Sequence, residues 1–331
     1  MNNNTIITTT SSDISNDPGR MHLGLGLPQI GHFADPAITR RVAIQAERAG
    51  FDSLWALDRV LAPVATRTPY PIGDGTLPSE QSTVLDPLLA LTLAVAVTDR
   101  VRLGTSVLVA PFYSSIMLAR SAATLDQISR GRFILGLGLG WSADEYAAVG
   151  VPQRGLQIRI EEMLEVLARV WRDDVVQIDT THETIAPSTI GLKPIAGRVP
   201  LMLSAYSPAG LERIARRADG WLPAGMPIDV TAAMWSSVLQ MAQDYGRNPA
   251  ALRLSLRANV TITDAPVTGD RTDFIGSIGQ VRTDIERARA IGAHEVLIDL
   301  QGTATSESHL FDLALVLAEG SLPTARVTRA A

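Results

Sequence analysis

A chain of 331 residues, 46 % hydrophobic and 19 % charged, is too long for a minimal module and too apolar for an intrinsically disordered chain; it suits two ordinary domains or one large α/β barrel with insertions. With 29 Lys and Arg against 34 Asp and Glu the formal charge is -5, so no basic excess exists to neutralise a phosphate backbone, and nucleic acid is not an expected partner. Zero cysteines rule out disulfides, thiolate metal sites and thiol nucleophiles, and suit a reducing compartment.

Residues 1–20, MNNNTIITTTSSDISNDPGR, are polar, with Arg20 as the single basic residue and no apolar run to form the core of a signal peptide; they read as a disordered tail. From Met21 to residue 320 short apolar runs alternate with helical patterns. Strands are expected at Leu23–Leu27, Ser53–Leu57, Val101–Val109, Arg132–Leu137, Leu201–Ser204, Gly220–Leu222, Leu254–Ile262 and Val296–Leu300. Helices are expected at Pro36–Ala49, Asp86–Val97, Ser115–Ile128, Ile158–Trp171, Ala209–Ala218, Val230–Tyr245, Gly279–Ile291 and Glu307–Ala318. Eight of each fit a single closed (β/α)8 barrel over 21–320 better than an open doubly wound sheet, which usually has about five or six strands. Residues 321–331 read as a flexible tail. The apolar stretches, such as Leu88–Val97, fall short of the roughly 20 residues of a membrane span, so a soluble, cytoplasmic protein is expected.

The joints Arg48-Ala49-Gly50, Arg217-Ala218-Asp219-Gly220 and Arg289-Ala290-Ile291-Gly292 each place a cation in a last helical turn and a glycine just beyond, which reads as helix stopping. Two connections break the short-loop rule, at about 60–85 and 138–157, and a third, irregular segment runs over about 173–198. The first two follow the second and fourth strands, on the barrel face where such enzymes place their sites; in the third, VVQID and ETIAP are expected to pair as a small hairpin.

The strand ends supply the candidates. Asp58, after the second strand, is either a hydrogen-bonding or proton-shuttling group or half of an ordinary surface pair with Arg59. Thr105 and Ser106 put small hydroxyls into the apolar third strand, suited to a flat ring against the backbone or simply satisfied inside the barrel. Gly136-Leu137-Gly138-Leu139-Gly140-Trp141 lacks the GxGxxG dinucleotide spacing; its glycines serve either a phosphate or tight packing at the barrel mouth. In Ser204-Ala205-Tyr206-Ser207-Pro208, Ser207 fits an N-cap and Pro208 the first helical position, a start that also offers N–H groups to an anion. Together these describe a mouth for a phosphate-bearing ring cofactor. Other chemistries are poorly served: His22, His32, His182, His294 and His309 show no metal-ligand spacing, there is no GxSxG elbow and no P-loop, and Lys193, the only lysine, lies outside the strand ends.

The segments GFDSLWALDRV, YPIGDGTLP, LDPLLALTLAVAVTDRVRLGTSVLVAPFYSSIMLARSAATLDQISRGRFILGLGLGW, DEYAAVGVP and ADGWLP resemble the luciferase-like monooxygenase superfamily, and within it the branch of probable oxidoreductases that use the deazaflavin coenzyme F420. The resemblance covers Met21 to about Gln301. It implies a TIM barrel with insertions, a (deaza)flavin at the C-terminal mouth, a homodimer, and a non-prolyl cis peptide at Ser106-Val107 behind the ring. It implies further that Gly138, Leu139, Gly140 and Trp141 line the ribityl and phosphate portion, that Ser204, Ala205, Tyr206 and Ser207 form a second phosphate-side segment, and that Asp58 lies near the ring's head. Where the family usually reads Asp-His this chain reads Asp58-Arg59, and an arginine does not act as a general base, though it stabilises negative charge. The expectation is a hydride-transferring F420-dependent oxidoreductase with Asp58 and Arg59 as catalytic residues, Thr105, Ser106 and Val107 against the cofactor, and a substrate pocket lined by Trp55, Tyr70 and Trp141. The alternatives are an oxygen-using monooxygenase supplied with reduced FMN by a separate reductase, and a non-catalytic cofactor-binding protein.

Overall fold

A computed structural model describes residues 20–319; the tails expected at 1–20 and 321–331 lie, apart from Arg20, outside the described residues. Eight strands close a parallel barrel: β1 (His22–Gly26), β2 (Ser53–Ala56), β3 (Arg102–Thr105), β4 (Phe133–Gly138), β5 (Leu201–Leu203), β6 (Gly220–Trp221), β7 (Arg253–Asn259) and β8 (Glu295–Asp299). Each pairs with the next in chain order, and β8 returns to β1 through Leu23↔Val296 and Leu25↔Ile298. This is the expected (β/α)8 TIM barrel.

Two expected strands are interrupted. The run Val101–Val109 breaks after Thr105, where Ser106-Val107 is a cis peptide, and resumes as Leu108–Val109 against the end of β4. The run Leu254–Ile262 leaves the barrel after Asn259; Thr261–Ile262 pairs instead with Ile275–Gly276 outside it. The helices follow the sequence closely: α1 (Pro36–Ala49), α2 (Pro87–Val95), α3 (Ser115–Ser129), α4 (Ala143–Ala148), α5 (Leu156–Arg172), α6 (Pro208–Arg217), α7 (Ile228–Asp244), α8 (Ile278–Ala290) and α9 (Glu307–Ala318). Their starts obey capping chemistry, since Asp35, Asp86 and Ser207 each accept from a first-turn N–H just before a proline. The short α4, inside the insertion after β4, has no counterpart among the expected helices. VVQID and ETIAP do pair, as the antiparallel hairpin Val175–Asp179 and Thr184–Thr189.

Gly50 and Gly292 stop their helices with positive φ as expected. Gly220 does not. It begins β6, and a Cβ there would press on the Arg253 carbonyl and stand 2.7 Å from the Met202 methyl, so its smallness serves close strand packing.

Strand residues pointing inward fill the barrel in layers. At the N-terminal end Glu295 accepts from the hydroxyls of Ser53 and Ser255 across the interior, with Arg102 3.7 Å away. Above it Trp55, Ile134, Met202, Leu222 and Leu297 form a dry middle layer. The third layer, at the C-terminal mouth, is polar.

Candidate active site at the C-terminal mouth

Asp58 follows β2 and is half-buried. Its Oδ2 accepts from the Val109 N–H and from the Tyr113 hydroxyl, each at 3.0 Å. Burial raises its pKa above the ordinary carboxylate value, and the neighbouring Glu145 and Asp86 carboxylates push the same way against those two donors. The Tyr113 phenol is driven up as well, by burial and then by the charge of Asp58. Asp58 is therefore no surface partner of Arg59.

Arg59 turns instead to the insertion after β4. Its Nη1 donates to Glu145 Oε2 at 2.8 Å and its Nε to Gln81 at 3.1 Å, and its guanidinium lies 5.2 Å from the centre of the Trp141 ring. Glu145 also accepts the Val60 N–H at 2.7 Å. Tyr70 meets Trp141 edge-on at 5.5 Å and its hydroxyl accepts from Gln81. Further along, the Arg67 N–H donates to Asp144 and the Ala143 N–H to Thr68. The loop after β2 is thus fastened along α4, and two of the three expected pocket residues, Tyr70 and Trp141, stand together.

Trp55 is not with them. It is 1 % exposed in the middle layer, donates its indole N–H to Ser53, and occupies the space left by Gly24 and Gly104. Its position inside β2, two residues before the strand leaves the barrel, turns it into the core, away from Tyr70 and Trp141. Thr105 is likewise committed: its hydroxyl donates to the Gly136 carbonyl and accepts the Gly136 N–H, both at 2.8 Å, tying β3 to β4 and leaving its side chain to structure.

Ser106-Val107 is cis, as the resemblance implies. Val107 packs half-exposed over the dry layer, and the β4 glycines explain how it fits: a Cβ at Gly138 would stand 2.7 Å from Val107, and one at Gly140 2.7 Å from Val109. These glycines receive side chains; their smallness is used by packing at the mouth. Leu139 is half-buried beside them, its carbonyl accepting the Tyr146 hydroxyl. Across the mouth, Ser204 and Tyr206 share a hydroxyl contact at 3.2 Å, Tyr206 binds both N–H and C=O of Ala224, Ala205 accepts the Trp221 indole, and Ser207 caps α6.

Beneath them lies a network that the sequence reading missed. Arg257 of β7 donates from Nη1 to the Ser106 carbonyl at 2.6 Å, from Nε to Asn259 at 3.0 Å, and pairs with Asp299 of β8. Asp299 in turn accepts from Gln301, whose Oε1 takes the N–H groups of Gln29 and Ile30. The signal was a period-2 alternation: Ser255, Arg257 and Asn259 alternate with the apolar Leu254, Leu256 and Ala258.

The comparisons with known proteins agree with the barrel fold. The family model described as luciferase-like monooxygenase matches residues 10–309. The chain belongs to that family. An uncharacterized protein of Mycobacterium tuberculosis is 34 % identical over 216 residues, covering 63 % of this chain and 74 % of that one. The F420-dependent glucose-6-phosphate dehydrogenase of Kineococcus radiotolerans is 32 % identical over 184 residues, 54 % of this chain and half of that enzyme's length. Among solved structures, the monooxygenase RslO1 from Streptomyces bottropensis superposes with a TM-score of 0.73 over 90 % of this chain and 98 % of its own, at 19 % identity, a likeness of fold. Membership of this family marks the chain as an oxidoreductase or monooxygenase.

Proposed function

We propose that the chain is a deazaflavin-dependent oxidoreductase, passing a hydride between coenzyme F420 and a small organic molecule at the barrel mouth. The observation that carries this reading is the floor of the mouth: Val107 lies half-exposed over the dry layer, two residues from the N–H that binds the carboxyl of Asp58. A flat ring suits an apolar surface edged by one titratable group. Asp58, Ser106 and Val107 would hold the ring, and Gly138, Leu139, Gly140 and Trp141 with Ser204, Ala205, Tyr206 and Ser207 its ribityl and phosphate part. Bound there, F420 supplies the two-electron carrier.

The rest falls to side chains. Asp58 takes both of its hydrogen bonds on Oδ2, so a proton it carries sits on Oδ1, and its raised pKa keeps that proton through a wider range than an exposed aspartate does. Arg59 moves no proton; it positions Glu145 and Trp141. The F420-dependent relative supports the deazaflavin. The family's description as monooxygenases favours a second reading, in which reduced FMN from a separate reductase activates oxygen.

A fluorescence titration with F420 and with FMN, each oxidised and reduced, tests the choice. Micromolar or tighter F420 binding with weak FMN binding is expected. The reverse, with oxygen uptake, would replace this reading by the second; binding of F420 without turnover on any ketone, alcohol or enone would make the protein a carrier.

A further inference from the structure

A cavity of about 130 Å³ opens between the tip of the loop after β2, at Pro71 and Ile72, and the segment after β6, at Ala224 and Met226, with Arg257 and Asn259 of β7 on its wall. We propose that this cavity is the subsite for the organic partner of the reaction and that it takes an uncharged, largely apolar molecule. The inference rests on the function proposed above for where the ring lies. Arg257 joins the two places, since the guanidinium on the cavity wall also holds the Ser106 carbonyl beside Val107.

Charge decides the class of occupant. Arg257 is the only cation on the wall among the described residues, and it is already matched: Nη2 by Asp299, Nη1 by Ser106 and Nε by Asn259. The wall's Asp273 is matched too, by Arg287 at 2.6 Å and by the Ile228 N–H at 2.7 Å. A phosphate or carboxylate entering here would lose its water and meet no unmatched cation, a cost that burial makes severe. An apolar body loses nothing polar against Pro71, Ile72 and Met226. Asn259, its Oδ1 occupied by Arg257, offers its amide N–H to a carbonyl or hydroxyl oxygen. The volume is comparable with apolar cavities that hold a benzene-sized ring.

The test compares cyclohexanol, cyclohexanecarboxylate and cyclohexyl phosphate, one skeleton with three heads, by calorimetry on the full chain with and without F420. Cyclohexanol is expected to bind at least ten-fold more tightly than either anion. Ile72→Trp, at a loop tip, is expected to weaken it at least ten-fold. Asp299→Asn, which uncovers the Arg257 charge, is expected to improve cyclohexanecarboxylate binding ten-fold. Equal or tighter binding of either anion to the unaltered protein, no binding of cyclohexanol, or indifference to Ile72→Trp would overturn the proposal. If F420 fails to bind while the three probes follow the expected order, the cavity assignment stands and the cofactor reading falls; if F420 binds and an anion wins, the reverse holds.

Discussion

Arg59 and Glu145, 86 positions apart, form an ion pair at 2.8 Å with side chains 8 % and 4 % exposed. The pair joins the end of β2 to the insertion after β4. Removing one partner strands the other charge in a place water barely reaches. Glu145→Ala is expected to lower the unfolding free energy by about 3–5 kcal/mol in urea titrations. The double variant Arg59→Met with Glu145→Leu is expected to recover most of that loss; a single-variant cost below about 1 kcal/mol would show that the pair behaves as an exposed one.

Asp58 should cost the fold stability at neutral pH. Its folded pKa lies above that of the unfolded chain, so the unfolded carboxyl gives up its proton first as pH rises, and the stability present in acid is lost as pH climbs through the folded value. Asparagine keeps an oxygen for Val109 and Tyr113 without a charge. Asp58→Asn should therefore melt higher than the unaltered protein at pH 7 and lose that advantage near pH 3. A lower melting temperature at pH 7 would contradict the assignment.

His294 has the opposite sense. Burial, then Arg253 and His22, depress it to about 4, so the folded state keeps the ring neutral while the unfolded chain protonates near 6.5. Stability is complete above that value and falls as the medium is acidified from 6.5 toward 4. His294→Gln, which retains an acceptor for the Leu254 N–H, should flatten this part of the stability profile.

Gly104 faces the Trp55 ring so closely that a Cβ would overlap it. Gly104→Ala should destabilise by about 1–3 kcal/mol or more, because the ring is walled in and has nowhere to turn. Wild-type denaturant midpoints for this variant would mean that Trp55 has a second rotamer available.

The order of strands and helices was legible because apolar periodicity and capping residues record local physics: Asp35-Pro36 and Ser207-Pro208 start their helices where the sequence places them. Two kinds of feature were not. Chain breaks inside apolar runs leave no mark in hydrophobicity: the one after Asn259 went unread, and the cis bond that breaks the run after Thr105 was reached only through the family resemblance. Pairings across the barrel, such as Arg257 with Ser106 or Arg59 with Glu145, join residues that only closure brings together. Asp58 was found as a strand-end acid, but its partners Val109 and Tyr113 could be read only from the fold.

The indole of Trp55 fills room vacated by glycines on two neighbouring strands, so positions 24, 55 and 104 are not independent in descent. Enlarging either glycine first collides with the ring, whereas shrinking the tryptophan first opens a void that later growth at 24 or 104 refills. Among homologues, a bulky residue at either glycine position should accompany a smaller one at 55, and the intermediate sequences should be those with the reduced side chain and both glycines still in place.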